Sequence, residues 1–280
     1  MAVVRALVAC MLVIMLAALA SLMLSCAEEK TEWTERMVHE ALKSANPYYN
    51  GQAQLKILGG DVIALGLEGT QITNLSPLSK MGIRRLDLKA CEVSDLKPLK
   101  GLELTELYLE ATLVRDLSPL KGMPLTKLYL NVTEVSDLSP LAGMPLETLS
   151  LSQTRVKHIG PLAGMPLKML WLNETSVTDI SPLAGAPLQS LTLHGTGVSD
   201  LSPLAGSQLQ RLHIAETPVS DLTPLADLNL TRLIFTPGKI KKGLEIVKNM
   251  DTIYEIGTTF ETMMPPAAFW KMYGNLLDSP

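Results

Sequence analysis

Leu128-Tyr-Leu-Asn-Val-Thr-Glu-Val-Ser-Asp-Leu-Ser-Pro-Leu-Ala-Gly-Met-Pro-Leu-Glu-Thr148 is one copy of a phrase that recurs from Ile63 to Phe235. Its opening apolar pair begins at Leu65, Leu86, Leu107, Leu128, Leu149, Leu170, Leu191, Leu212 and Leu233, always 21 residues apart. The prolines Pro77, Pro98, Pro119, Pro140, Pro161, Pro182, Pro203 and Pro224 keep the same step. No insertion interrupts it, so each copy must do the same structural job as its neighbours. In the copy quoted, Leu128, Leu130, Val135, Leu138, Leu141, Met144 and Leu146 are the apolar positions. A single coil cannot bury that many on its own; stacked coils bury them in continuous files.

A period of 21 carrying Leu-x-x-Leu-x-Leu is the pattern of a leucine-rich repeat solenoid. The fold class expected is an α/β repeat. About nine short strands lie in one parallel sheet, and 3₁₀ or irregular turns form the convex side. Strands about 4.8 Å apart make that sheet roughly 38 Å long. Parallel strands need a crossover, which the rest of each coil supplies. Ser139-Pro140-Leu141-Ala142-Gly143 starts like a helix and stops like one, with room for one 3₁₀ turn.

Two polar columns recur with the leucines. Thr70, Thr112, Thr133, Thr154, Thr175, Thr196 and Thr217 follow the strand, with Cys91 as the exception. Their hydroxyls are expected to satisfy backbone groups at a buried bend. Asp95, Asp116, Asp137, Asp179, Asp200 and Asp221 stand two residues before the next turn, with Asn74 and His158 as variants. A stacked Asp column suits either calcium or turn capping. The absence of a glycine-aspartate nonapeptide favours capping. Asn-x-Thr at Asn131 and Asn173 falls out of the Thr column and carries no separate message.

The flanks read as caps. Thr31 to Ala45 has helical spacing and ends at Asn46-Pro47. Residues 54–58 and 61–67 alternate around Gly59-Gly60, a β-hairpin with a two-residue turn. After Phe235, Ile240 to Met250 reads as a helix and 252–256 as a last strand. Pro265-Pro266 opens a short helix bearing Phe269, Trp270 and Tyr273. The division expected is 1–25 signal peptide, 26–62 linker and N-terminal cap, 63–235 repeats, and 236–280 C-terminal cap.

Composition narrows the function classes. The net charge is −4 with aromatics at 4%, so no basic field points to nucleic acid. Ala6 to Leu24 is uncharged after Arg5, and Leu22-Met23-Leu24-Ser25-Cys26 follows. An apolar run behind a short positive start is a secretory signal. Its last five residues resemble a bacterial lipobox, with Met23 where Leu is usual. The reading is a lipoprotein anchored by lipid on Cys26; the alternative is an uncleaved signal anchor. Both export the domain and tether it to a membrane of the cell envelope. Ala27 is not the Asp that marks inner-membrane retention, which favours the outer membrane where one exists.

The phrase Val-Ser-Asp-Leu-Ser-Pro-Leu-Ala-Gly-Met-Pro-Leu closely resembles bacterial leucine-rich repeats of the internalin-like kind, including short repeats attached to bacterial serine/threonine kinases. Ala45-Asn46-Pro47 and Pro266-Ala267-Ala268-Phe269-Trp270-Lys271 resemble the segments that flank such repeats. No kinase motif is present. The resemblance implies a recognition module.

A ligand is expected on the concave face, at the residues before, between and after each pair of inward leucines. The middle column reads Gly66, Asp87, Tyr108, Tyr129, Ser150, Trp171, Thr192, His213, Ile234. Exposed Tyr and Trp with Arg nearby are usual interface anchors; the bland reading is rings that only cover neighbouring strands. The residues singled out are Tyr108, Tyr129, Trp171, His213, His194, Glu106, Lys127 and Arg211. His194 and His213 lie on adjacent strands without a third ligand, so no zinc site is expected. No nucleophile, base and acid converge in the pattern, so no enzyme, cofactor or small-molecule substrate is expected. The partner expected is a protein or a glycan. The competing reading is a structural envelope lipoprotein that associates with itself.

Overall fold

The computed structural model describes residues 31–277. The expected signal segment and Cys26 lie outside them. Among the described residues, eleven strands form one sheet in strict chain order. Helix α1 (Glu35–Ala45) precedes the hairpin β1 (Gln54–Leu58) and β2 (Asp61–Gly66). Then come β3 (Arg85–Asp87), β4 (Glu106–Tyr108), β5 (Lys127–Tyr129) and β6 (Thr148–Ser150). They continue as β7 (Met169–Trp171), β8 (Ser190–Thr192), β9 (Arg211–His213) and β10 (Arg232–Ile234). Strand β11 (Glu255–Gly257) closes the series beside α2 (Leu244–Lys248) and α3 (Pro266–Tyr273).

Strands β2 to β10 are the nine expected from the Leu pairs. They pair in parallel and in register: Leu65 lies against Leu86, Leu86 against Leu107, and so on to Leu233. Ile256 extends the same file into β11. A constant period with no insertion leaves no other register, because a one-residue slip would turn every leucine to the opposite face. The file residues are between 0 and 1% exposed. Each such burial is worth roughly 1.5–3 kcal/mol relative to exposure.

The turns match the coil chemistry. Each proline of the 21-residue series sits at the start of a 3₁₀ turn, as in Ser139–Leu141 and Ser181–Leu183. The Asp before it accepts from the backbone N–H two residues on, at 2.8 Å for Asp116, Asp137, Asp179, Asp200 and Asp221. At Asp137 and Asp221 chiefly the hydroxyl of the same residue, and at Asp116, Asp179 and Asp200 chiefly this N–H, hold the five carboxyls below the usual Asp range. At the other bend the Thr hydroxyls donate to the carbonyl three residues back, for example Thr154 to Leu151 at 2.7 Å. Cys91 fills the same column but donates its thiol to Leu67 in the preceding coil, at 2.9 Å.

Between strand and Thr, the chain turns through a left-handed residue. Ala111, Val132, Gln153, Glu174 and Glu216 all have φ between +54° and +59°. The N–H groups of the first four nonetheless continue the ladder, as Val132 donates to Ser152 O at 3.0 Å, while that of Glu216 donates to Thr236 Oγ1 at 3.0 Å. The coil accepts this local strain because the bend must keep every backbone donor paired.

At the N-terminal end, Val38 and Leu42 of α1 are fully buried in the core that contains Leu65. Asn46, 2% exposed, ends the helix and ties it to the first coil. Its Oδ1 accepts from the N–H groups of Thr73 and Asn74 at 3.0 and 2.8 Å, and its Nδ2 donates to Asn74 O at 3.0 Å. The hairpin turn Gly59-Gly60 has φ of +57° and +77°, the conformation a two-residue turn demands.

One expectation changes at the C-terminal end. The helix read over 240–250 is shortened to Leu244–Lys248. Gly243 has φ +83°, and a Cβ there would lie 2.8 Å from Leu222 C and Thr223 N. Upstream, Lys241 N–H donates to Ser220 O at 2.7 Å and Leu222 N–H to Lys242 O at 2.9 Å. The segment thus begins as one more coil and turns helical only after the glycine. Among the described residues, no helix is long and apolar enough to cross a membrane.

Candidate binding face

The face of the sheet opposite the leucine files carries an aromatic line at its centre. Tyr108 and Tyr129 come from paired positions of β4 and β5. Their rings stack at 4.9 Å and 8°, the strand spacing itself. Trp171 stands two strands further on, yet its ring reaches to 6.3 Å from Tyr129. It does so over Ser150, which is 3% exposed beneath them and donates its hydroxyl to Asn131 Oδ1. At the other end Arg85 places its guanidinium carbon 5.3 Å from the Tyr108 ring centre. The row Arg85, Tyr108, Tyr129, Trp171 is therefore continuous, and the faces of its first two rings are already occupied.

A charge network braces this row. Lys127 Nζ donates to Glu106 Oε1 at 2.8 Å, and the Tyr108 hydroxyl donates to Glu106 Oε2 at 3.0 Å. Arg85 Nε approaches the same carboxylate at 3.6 Å. The Lys127 bond holds the Glu106 carboxyl below its usual range, with the Tyr108 hydroxyl adding to it and burial opposing both. Burial first, and then the Glu106 carboxylate, push the Tyr108 phenol up to about 12. Burial also raises the Tyr129 phenol. These groups are fixed in one protonation state across the physiological range, so the row presents constant charge to a partner.

Glu110 lies one turn of the pleat beyond Tyr108. Burial raises its carboxyl, and its Oε2 has no hydrogen-bond partner. Arg85 and Glu110 stand in the outward columns of the sequence, before Leu86 and after Leu109, and are not among the residues singled out there. Their signal was adjacency to the tyrosines in the strand register.

The C-terminal third of the face differs from the expectation. His194 and His213 do come together, with rings stacked at 5.0 Å and His194 Nδ1 3.2 Å from Ala215 O. His213, however, is only 6% exposed, and neither of its ring nitrogens is hydrogen-bonded. Burial, then the neighbouring His194, lower its imidazole to about 4. Thr192 and Ser190 are equally covered, and Ile234 is fully buried. Two causes act together. Large side chains lean across small ones in neighbouring strands, and Phe260, beyond β11, sets its edge on the His213 ring at 4.9 Å and 89°. Phe260 belongs to no repeat, so no column could have announced it. Arg211 is half-buried beside His213 and makes no ion pair among the described residues. Among those residues there is also no group of three His, Cys, Asp or Glu side chains able to hold a metal.

A regular one-layer coil with an in-register parallel sheet, 3₁₀ turns and an open decorated face is a leucine-rich repeat solenoid. Solved structures place it more narrowly. Internalin C2 of Listeria monocytogenes is 30% identical over 71% of this chain and 92% of its own, with a TM-score of 0.60. An internalin (InlF) of the same species is 19% identical, over 82% of this chain and 89% of its own, at 0.42. A leucine-rich repeat protein of Leptospira interrogans is 18% identical, over 68% of this chain and 59% of its own, at 0.49. This chain belongs to the bacterial leucine-rich repeat proteins of the internalin kind. No family model matches it, and neither does any curated relative.

Proposed function

We propose that this protein is a non-catalytic recognition scaffold, exported and held at a membrane by lipid on Cys26, that binds a protein partner across Tyr108, Tyr129 and Trp171. The internalin-like fold makes it a protein-interaction scaffold in the broad sense; the anchor, the partner and the contact residues are the proposal. The aromatic row is the observation that carries the reading. Rings of this size on an otherwise polar sheet, set in a braced charge network, are the composition of an interface hot spot. Glu106, Lys127, Arg211 and His194 surround them as the polar rim.

A protein partner suits the row better than a glycan. Sugars dock on open ring faces, and the Tyr108 and Tyr129 faces are taken up by each other and by Arg85. What remains outward are ring edges and hydroxyls, which fit the mixed surface of a polypeptide. The test is a variant carrying Tyr108→Ala, Tyr129→Ala and Trp171→Ala in the full chain. Capture of the cross-linked envelope partner should disappear while the far-UV spectrum stays unchanged; undiminished capture overturns the reading. Incorporation of labelled fatty acid by the wild type and by Cys26→Ser tests the anchor, and equal labelling rejects it.

A further inference from the structure

We propose that the C-terminal third of the sheet face holds a dedicated subsite for a carboxylate side chain of the partner protein, formed by Arg211, His213 and Thr192 between Trp171 and Phe260. This deepens the proposed protein-recognition function and rests on it. The site is a depression of about 190 Å³ lined by these five residues and Met169. Thr192 and His213 are each 6% exposed, and the Thr192 hydroxyl and both His213 nitrogens lack any hydrogen-bond partner. A buried donor or acceptor left unpaired costs roughly 1–3 kcal/mol. Three such atoms on two residues that line one depression are a strong departure from the rule that buried polar groups are paired.

Charge selects the ligand. Of the two arginines on the rim, Arg232 is neutralised by Glu255, whose Oε2 accepts from Nε at 2.7 Å. Arg211 is left as one free guanidinium beside two uncharged donors, the Thr192 hydroxyl and the single N–H of a neutral imidazole. One net positive charge with donors around it matches a singly charged carboxylate, which accepts up to about four hydrogen bonds. A phosphate, with close to two charges, would leave one uncompensated. The walls made by Trp171, Met169 and Phe260 suit the methylenes of a Glu side chain. Glu261, exposed next to Phe260 and close enough to act on His213 through its charge, is the chain's own competitor for this positive charge.

The probe is N-acetylglutamate α-amide, whose one charge is the side-chain carboxylate, with N-acetylglutamine α-amide as its uncharged isostere. The chain holds 4 histidines, so ring ¹⁵N spectra of the full chain resolve His213 directly. The expected result is a saturable shift of the His213 nitrogens by N-acetylglutamate α-amide, with affinity on the order of millimolar, and none by N-acetylglutamine α-amide. Arg211→Gln should weaken the affinity about tenfold, the value of one charge-assisted bond, and Glu261→Gln should tighten it. Thermal melting confirms that each variant is folded. Equal shifts by both probes, or none by either, overturn the proposal. N-acetylneuraminic acid acting where N-acetylglutamate α-amide does not would also overturn it, in favour of an acidic glycan. Because partner capture by the Tyr108, Tyr129 and Trp171 variants is read separately, a silent subsite with intact aromatic-dependent capture rejects this site and leaves the recognition function standing.

Discussion

Acidification should weaken the fold through one side chain, His213. Its imidazole is 6% exposed and its pKa falls to about 4 from an ordinary value of 6.5. The unfolded chain therefore binds the proton more tightly than the folded one. Stability from this residue is complete above about pH 6.5 and is lost as the pH falls toward 4. With about 1.4 kcal/mol per tenfold change, the loss between about pH 7.5 and pH 5 is about 2 kcal/mol. The capping aspartates do not confuse this window, since their carboxyls are lowered and stay ionised through it. The assay is urea unfolding at both pH values for the wild type and for His213→Leu. The pH-dependent loss should be about 2 kcal/mol smaller in the variant. Ring ¹⁵N titration should give a His213 midpoint well below that of a free histidine. Equal pH dependence in both proteins would refute the reasoning, because the buried imidazole would then carry no proton-linked cost.

Other perturbations test the coil itself. Thr154→Val removes the hydroxyl bonded to Leu151 O at 2.7 Å and should cost about 1–2 kcal/mol in denaturant unfolding; Thr154→Cys should cost less, as Cys91 already serves in that column. Val132 is a β-branched residue held at φ +57° and 53% exposed, so Val132→Asn should raise stability by about 1 kcal/mol. Leu149→Ala, at a fully buried file position, should cost about 2–5 kcal/mol by the same measurement.

Much of this architecture was legible because period and packing are the same fact. A leucine every 21 residues can be buried in only one way once the strands are parallel and in register, so strands, turns, Thr bonds and Asp caps followed together. What was not legible depends on contacts outside the period. Phe260 reaches back over β9 from a segment with no repeat, and its arrival turns His213 from a surface residue into a buried one. Gly243 looked compatible with a helix from 240 onward. Only its close approach to Leu222 shows why the chain stays extended until that point. The aromatic row was visible as three letters in one column, whereas the lean of Trp171 over Ser150 required coordinates. Arg85 and Glu110 were in the right columns, but nothing in a single sequence ranks one outward position above another.

Recognition depends on which face of the coil meets the partner. Photo-cross-linking from a benzophenone amino acid placed at Tyr129 on the open sheet, and at Ala142 on the turn side, addresses this directly in intact envelopes. The account predicts a discrete cross-linked product from position 129 that is absent from position 142. A product from position 142 alone would contradict it.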